Sequence, residues 1–153
     1  MTAIGISVES AIVMTEQSRR TWWRRIAAGE VTRVADDARG RAMLSWPNVV
    51  PKLCVPMNSV DLSFALRADA GEADAQNDIG QLFLNAGKHA AALYWLRMAA
   101  QQDNADAMQC LGRCYLNGQG LPKDENLGLM WIAKAAAYGH VIAQAQMKSL
   151  GPR

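Results

Sequence analysis

Apolar residues recur at helical spacing in two stretches of the chain between residues 105 and 138. In the first stretch Ala107, Leu111 and Tyr115 follow one another every four residues, which is the spacing of one face of an α-helix. The second stretch places a similar set on one face: Leu127, Met130, Trp131, Ala135 and Tyr138. The pattern predicts two amphipathic helices that pack through these faces.

A polar segment that contains glycine separates the two predicted helices. Asn117, Gly118 and Gly120 tolerate positive φ, so the chain can turn sharply there without a steric penalty. Pro122 and Asp124 follow, and a side-chain acceptor close to a proline is typical of a helix start. The whole stretch therefore predicts one helix–turn–helix unit.

The helix–turn–helix unit is repeated along the chain. A shift of 32 residues superposes residues 73–85 on residues 105–117, and a shift of 36 superposes residues 93–100 on residues 129–136. The shifts differ because the turn of the second unit is longer. The larger shift also aligns residues 141–147 with the start of the unit, which predicts a final unpaired helix.

Two glycines lie inside the predicted helices, where each lowers helix stability by about 1 kcal/mol. Gly80 and Gly112 occupy equivalent positions, and we expect a partner helix to approach closely at both. Lys148 takes this position in the final helix, which no partner helix follows. A small residue is no longer required there.

The patterns before the repeats are weaker. Residues 1–14 have no clear helical period and suit a loose tail, an edge strand or a segment upstream of a true start at Met14. Thr15 can cap a helix that stops at Gly29. A second helix is predicted over residues 31–43, so two helices are expected in this part of the chain.

Residues 46–57 differ from the neighbouring segments because they contain three prolines. Proline fixes its own φ and pushes the preceding residue towards an extended backbone, so we expect no helix to cross this segment. Its many apolar side chains predict a strap that is packed on the helices. Helical spacing returns in residues 60–70, which resemble the second helix of a degenerate unit and end at Gly71.

Composition and charge narrow the range of possible functions. The 153 residues are 50% hydrophobic and 20% charged, a soluble globular balance, and the net charge of +2 does not favour nucleic acid as a partner. No apolar run is long enough to span a bilayer, and residues 1–14 lack the basic segment of a signal peptide. Because the three cysteines suit a reducing compartment, a cytoplasmic location is predicted.

The most unusual local composition is RRTWWRR, at residues 19–25. One interpretation is an amphipathic helix whose tryptophans pack on the domain while its arginines are solvated. A second is a partner-binding or self-association face that includes Trp22, Trp23 and Arg24, since Trp and Arg are enriched at interaction hot spots. A third is contact with an anionic membrane or with nucleic acid, which depends on one short basic cluster.

Residues 105–139 carry the pattern A-x-A-x-x-x-L-G-x-x-Y-x-x-G-x-G, followed by P-K-D, W and K-A-A-x-x-G. This pattern resembles the Sel1-like repeat, a member of the tetratricopeptide-like superfamily. The resemblance covers residues 59–150. The sequence departs from the pattern at Asp103, where the second unit has Gly139, and at Gly128, where alanine is more usual.

The resemblance implies an all-α protein. An α/α solenoid of helix pairs would occupy residues 59–150. Residues 1–58 lie outside the resemblance, and their own pattern predicts an N-terminal helical extension and a proline-rich strap. Related solenoids are non-enzymatic modules that bind a protein or peptide in a concave groove, often as adaptors or scaffolds in bacterial signalling, secretion or envelope processes. No cofactor is implied.

In related repeats the ligand-facing residues flank the Leu-Gly pair of the first helices. Carried over to this chain, they form two sets: Asn77, Gln81 and Asn85, and Gln109, Arg113 and Asn117. Amide and guanidinium groups can hydrogen-bond an extended backbone or a carboxylate. The alternative is that these are ordinary solvated polar residues.

The residues with reactive side chains show no catalytic order. Cys110 and Cys114 are one helical turn apart and are interpreted as buried core cysteines, because their spacing is not that of a structural zinc site. His89 and His140 fall at repeat junctions, and adjacent carboxylates such as those at residues 36–37 point apart on a helix. The sequence therefore predicts no catalytic residue, cofactor or metal ligand.

Three function hypotheses follow. The favoured one is a protein-interaction module, the second a membrane-surface or nucleic-acid-associated regulator that uses RRTWWRR, and the third a small hydrolase or metalloenzyme built on Cys110 and Cys114. So few repeat units leave apolar ends. Either the N-terminal helices or a second copy of the chain would cover one end, which makes a homodimer an alternative assembly.

Overall fold

The computed structural model describes residues 3–151, and the chain divides into two compact units at Asp69 and Ala70. Among the described residues, the first unit contains β1 (Gly5–Ser7), α1 (Val8–Thr15), α2 (Arg19–Ala27), β2 (Arg33–Val34), β3 (Met43–Ser45), α3 (Trp46–Val49), a 3-10 turn (Val50–Lys52) and α4 (Ser59–Asp69). The second unit contains α5 (Ala73–Asn85), α6 (His89–Gln101), α7 (Ala105–Asn117), α8 (Glu125–Ala137) and α9 (Val141–Ser149). The predicted all-α repeat solenoid is confirmed, and the first unit adds a small sheet that the sequence did not predict.

The N-terminal segment forms an edge strand followed by a helix. Strand β1 pairs antiparallel with β3, and the strand order β1-β3-β2 leaves β1 at one edge. An edge strand is one of the alternatives that the sequence allows. Helix α1 is not predicted, and it begins because the Ser7 hydroxyl accepts the backbone N–H of Ser10.

The helix predicted from Thr15 to Gly29 begins later than expected. Thr15 is the last residue of α1, where its hydroxyl donates to the Ala11 carbonyl at 2.5 Å. Helix α2 follows Ser18, whose hydroxyl accepts the Thr21 N–H at 3.1 Å. The predicted end is close to the observed one, since Gly29 adopts a φ of 75°.

The prediction of a helix over residues 31–43 is wrong, because a β-hairpin occupies this segment. Strand β2 pairs antiparallel with β3. Between them, the Asp37 carboxylate accepts the backbone N–H groups of Arg39 at 3.0 Å and Arg41 at 2.8 Å, and Gly40 has a φ of 76°. A short carboxylate that binds nearby backbone groups favours a turn over a helix.

Residues 46–57 contain short helical turns at their start, but no helix crosses the segment, as predicted. Helix α3 tolerates Pro47 because the N–H groups of a first helical turn need no intrahelical partner. The strap is packed, as predicted. Val49 is fully buried, and the Cys54 N–H donates to the Met14 carbonyl of α1 at 3.0 Å.

The buried carboxylate of Asp69, at the end of α4, connects the parts of the first unit. It accepts the Ser7 N–H at 3.0 Å and the hydroxyls of Ser7 and Ser10 at 2.6 and 2.5 Å. The Arg41 guanidinium lies 3.2 Å from it. Because a buried charge is stable only with such partners, Asp69 fixes β1, α1 and the hairpin against α4. The assignment of α4 to a degenerate repeat and the boundary after residue 58 stay predictions.

The second unit is built from helix pairs that approach closely at glycines. A Cβ on Gly112 would lie 2.5 Å from Cγ1 of Ile132 and 2.9 Å from the Gly128 carbonyl oxygen. A Cβ on Gly80 would lie 2.8 Å from Cγ of Leu96. The predicted close approach is therefore confirmed at both positions, between α7 and α8 and between α5 and α6.

The longer turn between α7 and α8 has the predicted residues in special conformations. Gly118 and Gly120 have φ values of 66° and 76°. A Cβ on Gly120 would also lie 2.5 Å from Cβ of His89, so this position requires glycine for two reasons. Asp124 then caps α8 by accepting the Leu127 N–H at 3.0 Å.

Candidate interaction surface

The first helices of successive units, α5, α7 and α9, lie side by side. The Asn104 amide, just before α7, donates to the Asp74 carboxylate of α5 at 2.9 Å. The Gln109 amide of α7 donates to the Gln146 side chain of α9 at 3.2 Å. Polar residues spaced one turn apart on these helices therefore form adjacent rows.

The row on α5 consists of Asn77, Gln81 and Asn85, and its burial decreases along the helix. Asn77 is 7% exposed, Gln81 is half-buried and Asn85 is exposed. Within the described part of the chain, the buried Oδ1 of Asn77 has no hydrogen-bond partner. A buried acceptor left unpaired costs about 1–3 kcal/mol, so a donor that reached Asn77 would add binding free energy.

The row on α7 consists of Gln109, Arg113 and Asn117. Gln109 is 6% exposed and already donates to Gln146, whereas Arg113 and Asn117 are exposed. Arg113 is therefore the charged group that this row presents to solvent. A ligand-contacting role for the six residues of both rows stays a prediction.

Sequence reasoning missed a buried amide beside these rows. Gln76 of α5 is fully buried, and its side-chain oxygen accepts the Gln102 amide at 2.8 Å. The signal was an amide residue between Ala75 and Ile79, where the helical period requires a core residue. A polar residue at a core position predicts a buried hydrogen bond.

Cys110 and Cys114 are buried, as the core interpretation predicts, and their thiols interact. A hydrogen bond from the Cys114 thiol lowers the pKa of Cys110 to about 7, aided by the charge and hydrogen bond of Arg113 and by Gln81, while burial opposes the shift. The same hydrogen bond, followed by burial, raises the pKa of Cys114. The Arg113 guanidinium lies 3.7 Å from the Cys110 sulfur. The spacing of residues 110, 113 and 114 is the signal by which the sequence could have shown this cluster.

His140 has a structural role at the junction between α8 and α9. Its Nδ1 accepts the Ala143 N–H at 3.1 Å and so caps α9. Its Nε2 lies 3.0 Å from the Asp106 carboxylate. Because the cap uses Nδ1 as an acceptor, Nε2 carries the proton in the neutral ring.

Most of the aromatic and basic residues of α2 make contacts within the first unit. Trp22 is fully buried, with the Arg25 guanidinium 5.0 Å from its ring centre. Trp23 is 36% exposed and has the Arg33 guanidinium 5.3 Å from its ring centre. Arg24 is exposed. Trp23 and Arg24 are thus the members of the predicted α2 surface that solvent reaches.

Two features are absent from the part of the chain that the structure describes. No group of three or more His, Cys, Asp or Glu side chains in residues 3–151 is placed to hold a metal ion. In the same range, no helix combines the length and apolar character needed to cross a bilayer.

Comparisons with known proteins agree with this geometry. The Sel1 repeat profile matches residues 73–104 and 105–140. A protective antigen of uropathogenic Escherichia coli with an SLR fold is 26% identical, with a TM-score of 0.53 over 57% of this chain and 20% of that one. A Sel1 repeat protein from Oxalobacter formigenes is 33% identical, with a TM-score of 0.52 over 57% of this chain and 27% of that one. A comparison with curated proteins gives no match.

The chain spans less than a third of the length of either similar structure. The repeat profile matches the segment in which α5 to α8 form two helix pairs of the same design. Sel1 repeats are generally non-enzymatic modules that bind protein partners. The second unit of this chain is therefore an all-α repeat solenoid that is similar to Sel1 repeat proteins.

Proposed function

We propose that this protein is a non-enzymatic adaptor or scaffold that binds an extended peptide or protein segment in the groove formed by α5 and α7. Its three cysteines form no disulfide bond within residues 3–151, which supports a cytoplasmic location, and the bacterial origin of both similar structures supports a role in bacterial regulation, secretion or envelope processes. The observation that carries the proposal is the pair of adjacent polar rows on these two helices.

The rows offer complementary groups to a peptide backbone. Asn77 has a buried acceptor without a partner, which a backbone N–H of the ligand would satisfy. Gln81 is half-buried beside it, and the exposed guanidinium of Arg113 can bind a carboxylate in bidentate geometry. We therefore propose a ligand that is extended and carries an acidic group.

The test uses peptides selected from a displayed random library on the purified full-length chain. Their dissociation constants are then measured by calorimetry for wild type and for a groove variant with Asn77→Ala, Gln81→Ala and Arg113→Ala. Loss of one charged and two neutral hydrogen bonds predicts weakening of at least about tenfold. Enrichment of Asp or Glu among the selected peptides is also expected.

The matched control changes exposed residues of the same chemistry on the second helices: Arg97→Ala, Gln101→Ala and Asn126→Ala. This variant should bind like wild type. Equal binding by the groove variant, or equal loss in the control, would contradict the proposal. Analytical ultracentrifugation without peptide tests whether a second copy of the chain is the partner instead.

A further inference from the structure

A second cluster in α7 lies beneath the exposed groove residues. Cys110 and Cys114 are fully buried one helical turn apart on α7, and their thiols interact. The Arg113 guanidinium lies 3.7 Å from this sulfur, and the Gln81 side chain of α5 hydrogen-bonds it as well. Two buried thiols therefore lie next to a half-buried amide and to the guanidinium of an otherwise exposed arginine.

We propose that Cys110 and Cys114 form a two-coordinate site for a soft monovalent metal cation, Cu(I). Thiolate ligands select Cu(I) over harder cations. Structural zinc sites need four ligands, and residues 3–151 contain no cluster of three or more suitable side chains. Cys110 and Cys114 therefore suit a metal ion that is stable with two sulfur ligands. This site does not depend on the proposed binding function.

The helical spacing favours a bridging cation over a disulfide bond. Residues four apart on a helix have Cβ atoms about 5–6 Å apart. A disulfide needs Cβ atoms about 3.5–4.5 Å apart, so it would distort α7. A bridging metal ion joins the two sulfurs through two metal–sulfur bonds of about 2.3 Å each, where a disulfide has a single S–S bond. The longer bridge lets the helix keep its geometry.

Charge balance also favours this occupant. Two thiolates and one Cu(I) carry a net charge of −1, and the neighbouring Arg113 guanidinium neutralises it, which lowers the cost of burial. On binding, two Cu–S bonds form, two S–H protons leave to solvent and no electron is transferred.

The experiment titrates the full-length chain with Cu(I) under anaerobic conditions in competition with bicinchoninate, whose Cu(I) complex is coloured. Wild type should retain one Cu(I) per chain. Cys110→Ser and Cys114→Ser should each weaken binding at least about hundredfold, and Arg113→Gln, beside the ligands, roughly tenfold. Cys54→Ser, in the first unit, is the control and should bind like wild type.

X-ray absorption spectroscopy of the wild-type complex keeps the test independent of how the variants fold. Two sulfur ligands, with no nitrogen or oxygen ligand, are expected. Failure of wild type to retain Cu(I) against the chelator, a different ligand set, or equal loss of binding in Cys54→Ser would overturn the site. None of these results depends on a peptide partner, so they are separate from the outcome for the groove.

Discussion

Replacing Gly112 with alanine tests the close packing of α7 on α8. Alanine favours a helix over glycine by about 1 kcal/mol. The new Cβ, however, would lie 2.5 Å from Cγ1 of Ile132, 2.9 Å from the Gly128 carbonyl oxygen and 3.2 Å from the Ile132 nitrogen. Because two of these atoms are backbone, α8 must move, and overpacking of this kind costs about 1–3 kcal/mol. We expect a net loss of about 1–2 kcal/mol in the free energy of unfolding.

Gly80→Ala is the matched control at the equivalent position of the first repeat. Its Cβ would meet Cγ and Cδ2 of the Leu96 side chain at 2.8 and 2.9 Å, and the nearest backbone atom at 3.3 Å. A side chain can change rotamer, so a smaller loss is expected. Urea unfolding followed by circular dichroism gives both midpoints. Equal stability of Gly112→Ala and wild type, or a larger loss from Gly80→Ala than from Gly112→Ala, would contradict the close backbone packing of α7 on α8.

Three further predictions concern single polar residues. Asp69→Asn should lower the unfolding free energy by about 2–3 kcal/mol, because Arg41 loses a buried charged partner, and an unchanged melting temperature would refute this. The backbone N–H of Arg41 lowers the pKa of Asp37, so the stability that Asp37 contributes is present above about pH 4 and is lost as the pH falls through the lowered pKa. In unfolding experiments at several pH values, Asp37→Asn should therefore lose less free energy of unfolding at acid pH than wild type does. Asn77→Ala removes an unpaired buried acceptor, so it should not lower the unfolding free energy, and a loss of more than about 1 kcal/mol in urea unfolding would assign Asn77 a structural role.

The repeat helices could be predicted because several signals agree. Helices α5 and α6 have the predicted bounds, residues 73–85 and 89–101, since each has a clear helical period and an internal copy that fixes its position. Gly80 and Gly112 also predict the close helix contacts from the sequence alone. Local pattern and global fold agree in this part of the chain.

The first unit could not be predicted in the same way. Its strands are two or three residues long, too short for an alternating pattern. The hairpin depends on backbone contacts of Asp37, and α1 depends on a cap at Ser7 that also hydrogen-bonds the distant Asp69. The hairpin and α1 therefore depend on individual hydrogen bonds, and one of these joins residues that are far apart in sequence.

The candidate site was predictable only as a set of positions. The repeat pattern gives the spacing of Gln81 and Arg113 along their helices. It does not give the burial of Asn77 or the contact of Gln81 with Cys110, because both depend on how closely α5 approaches α7. Tertiary packing thus decides which polar residues can act as ligands.

The most direct test of groove binding is an NMR titration of the ¹⁵N-labelled chain with a selected peptide. The side-chain N–H signals of Asn77, Gln81 and Arg113 should shift together with one midpoint, because these groups would contact the ligand. The signals of Arg97 and Asn126, on the second helices, should stay in place. Shifts confined to the second helices or to α2, with the Asn77, Gln81 and Arg113 signals unchanged, would contradict the account.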